Sequence, residues 1–259
     1  MSRFFQLKSY LNYWLDAVNL HSLQAPFVYE VYKNVIDKRK RRPVDPAIEK
    51  IREKFKASTN SIEIEDYGSG SRKSNSSWRK VTDIASHGIT QSKYSQIMSG
   101  LIEYMGYSNI VELGTSLGIN TLYLSKQPQS RITTFEGSTS LVNIAAELLN
   151  HQRKNVNVVE GNIDITLPAY LESSDRIDFV FIDANHRYDA TLKYFDLVIN
   201  KSHDLTCFVF DDIHLSFEMA TAWKHIIGHY QVTLTLDLFQ IGIVFINPEL
   251  RKQHYVLET

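Results

Sequence analysis

Cysteine is nearly absent from this chain. Cys207 stands alone, so no internal disulfide can form, and its apolar, strand-like surroundings mark it as a buried, inert thiol. Long hydrophobic runs are missing too. No apolar stretch approaches the length needed to span a bilayer, and the amino terminus lacks the apolar core and small-residue cleavage site of a leader, so a soluble cytoplasmic protein without a membrane partner is expected. Nor is there an excess of one charge: 28 basic and 29 acidic side chains nearly cancel over 259 residues. That balance excludes a global field drawing the chain to nucleic acid or an anionic surface. The glycine fingerprint G-x-G-x-x-G, which lays a pyrophosphate on backbone amides, is not found, and this disfavours a nicotinamide oxidoreductase. With 43% hydrophobic residues the chain can nevertheless bury a sizeable core.

The most informative stretch runs from Ile110 to Ser125, IVELGTSLGINTLYLS. Ile110, Val111 and Leu113 form a short apolar run of buried-strand type, while Ile119, Leu122 and Tyr123 repeat at helical spacing. The chain passes from strand to helix here. Glu112, Gly114 and Gly118 sit at the join, with Thr115 and Ser116 as small polar turn residues. A glycine at the carboxyl end of a parallel strand lets a ligand touch the backbone, and open α/β sheets bind ligands at that edge. A carboxylate two places before the first glycine would repel a pyrophosphate but suits a ligand carrying a cationic centre and an ammonium group.

Along the rest of the chain, Phe4, Leu7, Leu11, Trp14, Leu15 and Val18 fall on one helical face, and Phe27, Val28, Val31, Tyr32 and Val35 mark a second helix. That helix ends in the basic run Lys38 to Arg42, the solvated kind of helix end that cations favour. Ile48, Ile51 and Phe55 mark a third. Residues 57–77 hold seven serines and two glycines and read as a linker, whose segment DYGSGSRKS is a candidate lid over a neighbouring site. From Trp78 onward strands and helices alternate, with strands at Ile132 to Phe135, Val156 to Val159, Ile177 to Ile182 and Phe208 to Phe210. Val232 to Leu238 and Ile241 to Ile246 close the series, joined by a turn so short that they must be antiparallel. The expected fold class is therefore α/β. It combines a Rossmann-like, doubly wound, mostly parallel sheet, a carboxyl-terminal antiparallel hairpin and an amino-terminal helical extension. The expected division is a helical extension and linker over residues 1–77 and a ligand-binding domain over residues 78–259. The apolar stripes of the extension need covering, either by the domain or by a second copy in a homodimer.

The pattern E-x-G-x-x-x-G resembles motif I of the class I S-adenosylmethionine-dependent methyltransferases. The wording ELGTSLG is most similar to the catechol O-methyltransferase-like bacterial O-methyltransferases, and the likeness covers about Trp78 to Asn247. The resemblance implies S-adenosylmethionine as cofactor and a small-molecule methyl acceptor. Glu112, Gly114, Thr115 and Gly118 would face its methionine half, Glu136 would accept from both ribose hydroxyls, and Gly161 with Asn162 would hold the adenine edge. Asp183 would complete the cofactor set. In the same family an Asp after the fourth strand and an Asp-Asn pair after the fifth hold a divalent cation, which places Asp183, Asp211 and Asp212 as candidate ligands for magnesium or a similar ion. This chain departs from the pattern by carrying Asp212 where the family has Asn. Three carboxylates on neighbouring strand ends repel unless protonated, hydrogen-bonded or bridged by a cation. The alternative is that Asp211 and Asp212 cap the helix beginning near Ser216. His186, three residues after Asp183, stands where the family has a catalytic lysine and is the candidate base, with Asp183 beside it and His214 as second candidate. The rival to an enzyme is a non-catalytic S-adenosylmethionine-binding partner or scaffold.

Overall fold

The computed structural model describes residues 3–40, 43–65, 77–174 and 176–259. They form two compact units, residues 39–175 and residues 1–38 with 176–259. The candidate lid segment Asp66 to Ser74, and Arg41 and Arg42 of the basic run, lie outside the described residues. Among those described, no helix is long and apolar enough to cross a membrane.

Residues 39–175 begin with helix Pro46–Lys56, whose start is fixed by Pro46 in its first turn and by Asp45, whose Oδ1 accepts from Ala47 N at 3.0 Å and Ile48 N at 3.3 Å. Two short strands, β1 (Ser61–Ile64) and β2 (Ser77–Lys80), pair antiparallel. The linker composition did not announce β1, because its alternation of Ile62 and Ile64 with polar residues is only four residues long. Helices Val81–His87 and Ser92–Met105 follow, the second stopped by Gly106 at φ 71°. Then come β3 (Asn109–Leu113), β4 (Arg131–Glu136) and β5 (Val156–Glu160), parallel and in that order, with helices Ile119–Leu124, Thr139–Gln152 and Ile163–Ser173 after them. The register sets Glu112 beside Thr134 and Glu136 beside Glu160. Helix Ile119–Leu124 is buried on all sides, and Leu117, Ile119, Leu122 and Tyr123 pack with Ala145, Leu149, Ile48 and Ile84. The backbone around Gly118 is thereby held against the next helix.

In the other unit, β6 (Phe179–Ile182) and β7 (Cys207–Phe210) are parallel and fully buried, as their unbroken apolar sequences require. β8 (Leu234–Asp237) and β9 (Gly242–Phe245) form the expected antiparallel hairpin, with β9 also antiparallel to β7. A further strand, β10 (Gln253–Val256), runs parallel to β8. Its half-exposed residues give no apolar signal, so the sequence conceals it. The chain is thus the Rossmann-like, mostly parallel α/β fold that the alternation of elements predicts. Cys207 is buried, as expected. Helix Arg3–Asp16 lies against the carboxyl-terminal loops of its own unit: Tyr13 Oη donates to Leu257 O at 2.7 Å, and Tyr10 and Tyr13 pack on Phe239 at 5.1 and 5.3 Å between ring centroids.

Gly242 has a sharp steric reason. A Cβ there would stand 2.6 Å from the Trp223 ring, which is itself buried and donates through Nε1 to Asp237 Oδ2 at 3.2 Å. Gly242→Ala is expected to cost about 1–3 kcal/mol, because the indole must move out of a packed core. A shift in the urea midpoint with unchanged slope measures it, and an unshifted midpoint would mean that the ring yields freely.

Candidate functional site

The candidate residues of the 39–175 unit gather at the carboxyl ends of β3, β4 and β5. Gly114, Gly118 and Gly161 all take positive φ, at 104°, 79° and 126°, and Ser116 joins them at 49°. The loop after β3 thus turns through conformations that side chains resist, which leaves its backbone unscreened. Gly114 N and Thr115 N both donate to Phe135 O, at 2.9 and 3.1 Å, tying the loop to the end of β4.

Glu112 is fully buried. Its Oε1 accepts from Asn120 Nδ2 at 2.8 Å, and its Oε2 from Thr121 Oγ1 at 2.5 Å and Thr134 Oγ1 at 2.7 Å. Thr134 also shares a 2.6 Å hydrogen bond with Thr115. One carboxylate therefore ties together the strand before the loop, the helix after it and the neighbouring strand. These donors were missed in the sequence, where Thr134 is one of two threonines in a strand and Asn120 and Thr121 read as ordinary first-turn residues. The signal available was their polarity at positions that the apolar pattern reserves for core.

Glu136 is half-buried at the end of β4, where Oε2 accepts from Ser116 N at 2.8 Å and Oε1 from Ser138 N at 3.0 Å. Both carboxylate oxygens thus accept from backbone donors. Asn162 Oδ1 accepts from Asp164 N at 2.9 Å and caps helix Ile163–Ser173, so its side chain offers Nδ2 as donor. Gly161 N donates to Glu136 O at 2.9 Å, and a Cβ on Gly161 would meet Thr166 at 3.1 Å.

The other unit carries the carboxylate and histidine candidates. Asp183, ending β6, lies 3.3 Å from His186 Nε2. Burial opposes the charged imidazolium, but the hydrogen bond and charge of Asp183, with Asp212 behind, outweigh it and raise the His186 pKa. Asp211, ending β7, is buried, and its carboxyl is held well above the usual range by burial first and then by the charges of Asp183 and Asp212. Asp212 is raised by burial and by Asp183, although His186 pulls the other way. The repulsion expected from three neighbouring acids is present. Asn185, His186 and Asp212 adopt positive φ of 67°, 23° and 53°, so both loops are strained where the acids sit. The helix cap is Ser216, whose Oγ accepts from Met219 N at 3.1 Å, and that duty does not fall to Asp211 or Asp212. Asp211 Oδ1 is buried without a hydrogen-bond partner. Oxygen donors of this type suit a hard divalent cation. Among the described residues, however, no three His, Cys, Asp or Glu side chains stand in an arrangement ready to hold a metal ion.

His214, the second candidate base, is fixed through Nε2 to Asp237 Oδ2 at 2.8 Å and stacks on Phe239. Asp237 also accepts from Trp223 and, through Oδ1, from Phe239 N at 2.8 Å. Sequence reading passed over Asp237, whose only mark was an acid ending the strand LTLD.

Residues 111–213 match a family model described as a methyltransferase domain. The match takes in the strands from β3 to β7 and the loops at their carboxyl ends. Among solved structures, the chain is similar to an O-methyltransferase from Bacillus cereus in complex with S-adenosylhomocysteine, at 20% identity and TM-score 0.54, over 61% of this chain and 83% of that one. The O-methyltransferase of tomaymycin synthesis from Streptomyces achromogenes, in complex with S-adenosylmethionine, aligns at 18% identity and TM-score 0.54 over 61% and 82%. A methyltransferase from Podospora anserina, bound to S-adenosylhomocysteine, aligns at 13% identity and TM-score 0.62 over 87% of this chain and 99% of that one. No curated protein matches the chain in sequence.

Proposed function

We propose that the chain transfers the methyl group of S-adenosylmethionine to a hydroxyl oxygen of a small molecule. The observation that carries this reading is the carboxyl edge of β3 to β5, where an anchored Glu136 and three glycines of positive φ come together. Bound there, S-adenosylmethionine supplies an electrophilic methyl on a sulfonium centre. The loop Gly114 to Gly118 gives it a backbone approach free of side chains, Glu136 accepts from the ribose diol, and Asn162 Nδ2 donates to the adenine edge. Glu112 holds that loop in shape from below.

Asp183, Asp211 and Asp212 would hold a divalent cation, whose chemistry is to favour the ionised form of an acceptor hydroxyl. His186, beside Asp183, would take the hydroxyl proton, while His214, oriented by Asp237, is the alternative base. The chain's part in the reaction is chiefly to position the two reactants.

Titration calorimetry of the purified chain with S-adenosylmethionine and with S-adenosylhomocysteine tests the cofactor assignment. Binding of both is expected, with Glu136→Ala weakening it about tenfold or more through loss of charged hydrogen bonds worth about 1.5–3 kcal/mol. No heat with either ligand, alongside binding of NAD, would reverse the assignment. A screen of catechols, phenols and hydroxy acids, with and without magnesium, then identifies the acceptor class. Binding without turnover of any acceptor would favour the scaffold reading.

A further inference from the structure

The candidate cofactor residues stand at the carboxyl ends of β3 to β5. Ser125, Lys126, Gln152, Arg153, Lys154 and Asn155 precede the first residues of β4 and β5 and so lie toward the amino ends of those strands. Strands of six and five residues set the two edges roughly 15–20 Å apart. At the amino edge a cavity of about 520 Å³ is lined by these residues and Pro128, a volume typical of small-molecule sites. Three of the lining side chains are cationic and none is acidic, in a chain whose formal net charge is −1. Positive charge is gathered here.

The walls of this cavity are fixed by the chain itself. Asn155 Nδ2 donates to Ser125 O at 3.4 Å, Gln127 O at 3.2 Å and Ser130 O at 2.9 Å, which holds the loop between Ser125 and Ser130 in one shape. Arg153 donates through Nε to Ser125 Oγ at 3.1 Å and through Nη1 to Gln152 O at 3.0 Å, so its guanidinium is held in place with Nη2 still to donate. The bond to Gln152 O is the ordinary service of a cation at a helix carboxyl end. Lys154 has no such duty: it is exposed and, among the described residues, makes neither an ion pair nor a hydrogen bond through its side chain. Lys126 holds Asp45 Oδ2 at 2.8 Å, and an ammonium carries further donors.

We propose that this cavity binds a small phosphate-bearing ligand, at a second site separate from that of the cofactor. A pre-positioned guanidinium with two ammonium groups beside it matches phosphate oxygens in both charge and donor geometry. Other ligands fit less well. A nucleic-acid strand is held along a groove of cations with aromatic rings beneath its bases, and among the described residues no aromatic side chain lines this cavity. An apolar ligand would find only Pro128 to lie on. The site does not depend on the methyl-transfer reading, because none of its residues belongs to the carboxyl edge.

Titration calorimetry of the full chain with sodium pyrophosphate, in magnesium-free buffer of about 50 mM salt, tests the proposal. Saturable binding with Kd below about 1 mM is expected. Glycerol phosphate, titrated in parallel, distinguishes a bare diphosphate from a phosphate on a polyol carrier by which of the two binds more tightly. Lys154→Glu should weaken the tighter ligand by about tenfold or more, the scale of a lost hydrogen bond between charged groups, and its exposure leaves the fold intact. Lys224→Glu, the same change of charge on an exposed residue of the other unit, should leave the affinity unchanged. Saturation with S-adenosylhomocysteine should not displace the anion. Binding of neither probe, equal weakening by the two variants, or loss of binding in the presence of S-adenosylhomocysteine overturns the proposal. A chain that binds pyrophosphate but neither form of the cofactor would keep this site and remove the cofactor assignment, so the two readings fail separately.

Discussion

Replacing Asp211 with asparagine should make the metal-free protein more stable at neutral pH, an outcome opposite to that of most core substitutions. Asp211 is buried, its carboxyl is pushed well above the ordinary range by burial and by Asp183 and Asp212, and one oxygen has no hydrogen-bond partner. A native carboxyl with a raised pKa binds its proton more tightly than the unfolded chain does. The native state therefore loses stability as pH climbs from the ordinary carboxylate range to the raised native value, and the full penalty persists above it. Asparagine keeps the shape and removes the charge. Each kcal/mol relieved raises the melting temperature by about 2–4 °C in a chain of this size, so melts at pH 8 should separate by several degrees and those near pH 4 should nearly coincide. Millimolar magnesium or manganese should stabilise the wild type and leave the variant unmoved, because the cation takes over the neutralising role. Turnover should fall by about 10²–10³ in the variant, the scale on which a lost electrostatic contact to a reacting oxygen is felt. A variant that melts lower than the wild type at every pH would show that the Asp211 charge is not penalised. Turnover unaffected by a strong chelator would remove the cation from the mechanism.

The alternation of strands and helices was legible because it rests on burial. Runs such as FVFI and CFVF are apolar throughout, which only a doubly covered parallel strand requires. The carboxyl-terminal hairpin was legible from the length of its turn alone. Elements that rest on hydrogen bonding more than on burial were not: β10 alternates no apolar residues, and β1 sits in a serine-rich stretch. The six-residue segment Tyr32–Asp37 widens into a π-type helix, a change of pitch that apolar spacing does not encode.

For the site, sequence spacing identified the residues at strand ends but not what holds them. Glu112 and Gly114 stand out because few folds need that spacing, whereas Asn120, Thr121 and Thr134 become partners of Glu112 only through the β3–β4 register and the helix that follows. The same holds for Asp237, which is 23 residues from His214 in sequence and 2.8 Å from it in space. The amino-terminal helix was predicted by its apolar stripe, yet it docks by Phe5, Gln6 and Tyr13 on a different face. Helical periodicity finds the strongest stripe, and tertiary packing is free to use the other.

Glu112 yields the sharpest test of how the cofactor loop is built. Glu112→Ala removes the acceptor for Asn120 Nδ2, Thr121 Oγ1 and Thr134 Oγ1 in a region sealed from water. Thr134 retains Thr115 as a partner, but Asn120 and Thr121 are left unsatisfied. The expected loss is about 3–5 kcal/mol, the range for breaking a buried charged network. Cofactor binding should be lost at temperatures where the variant still shows native far-UV signal, because the loop from Gly114 to Gly118 no longer has its anchor. Glu112→Gln separates shape from charge. Its amide oxygen still accepts one hydrogen bond, and its amide group can donate to a threonine hydroxyl that rotates to receive it. If Glu112 acts by holding the loop, the glutamine variant should be mildly destabilised and bind S-adenosylmethionine within about tenfold of the wild type. If the carboxylate instead acts on the ligand's positive charge, the glutamine variant should fold normally and lose binding of S-adenosylmethionine far more than tenfold. Thermal melts and calorimetry on the two variants distinguish these outcomes. An alanine variant that melts and binds like the wild type would remove Glu112 from both roles.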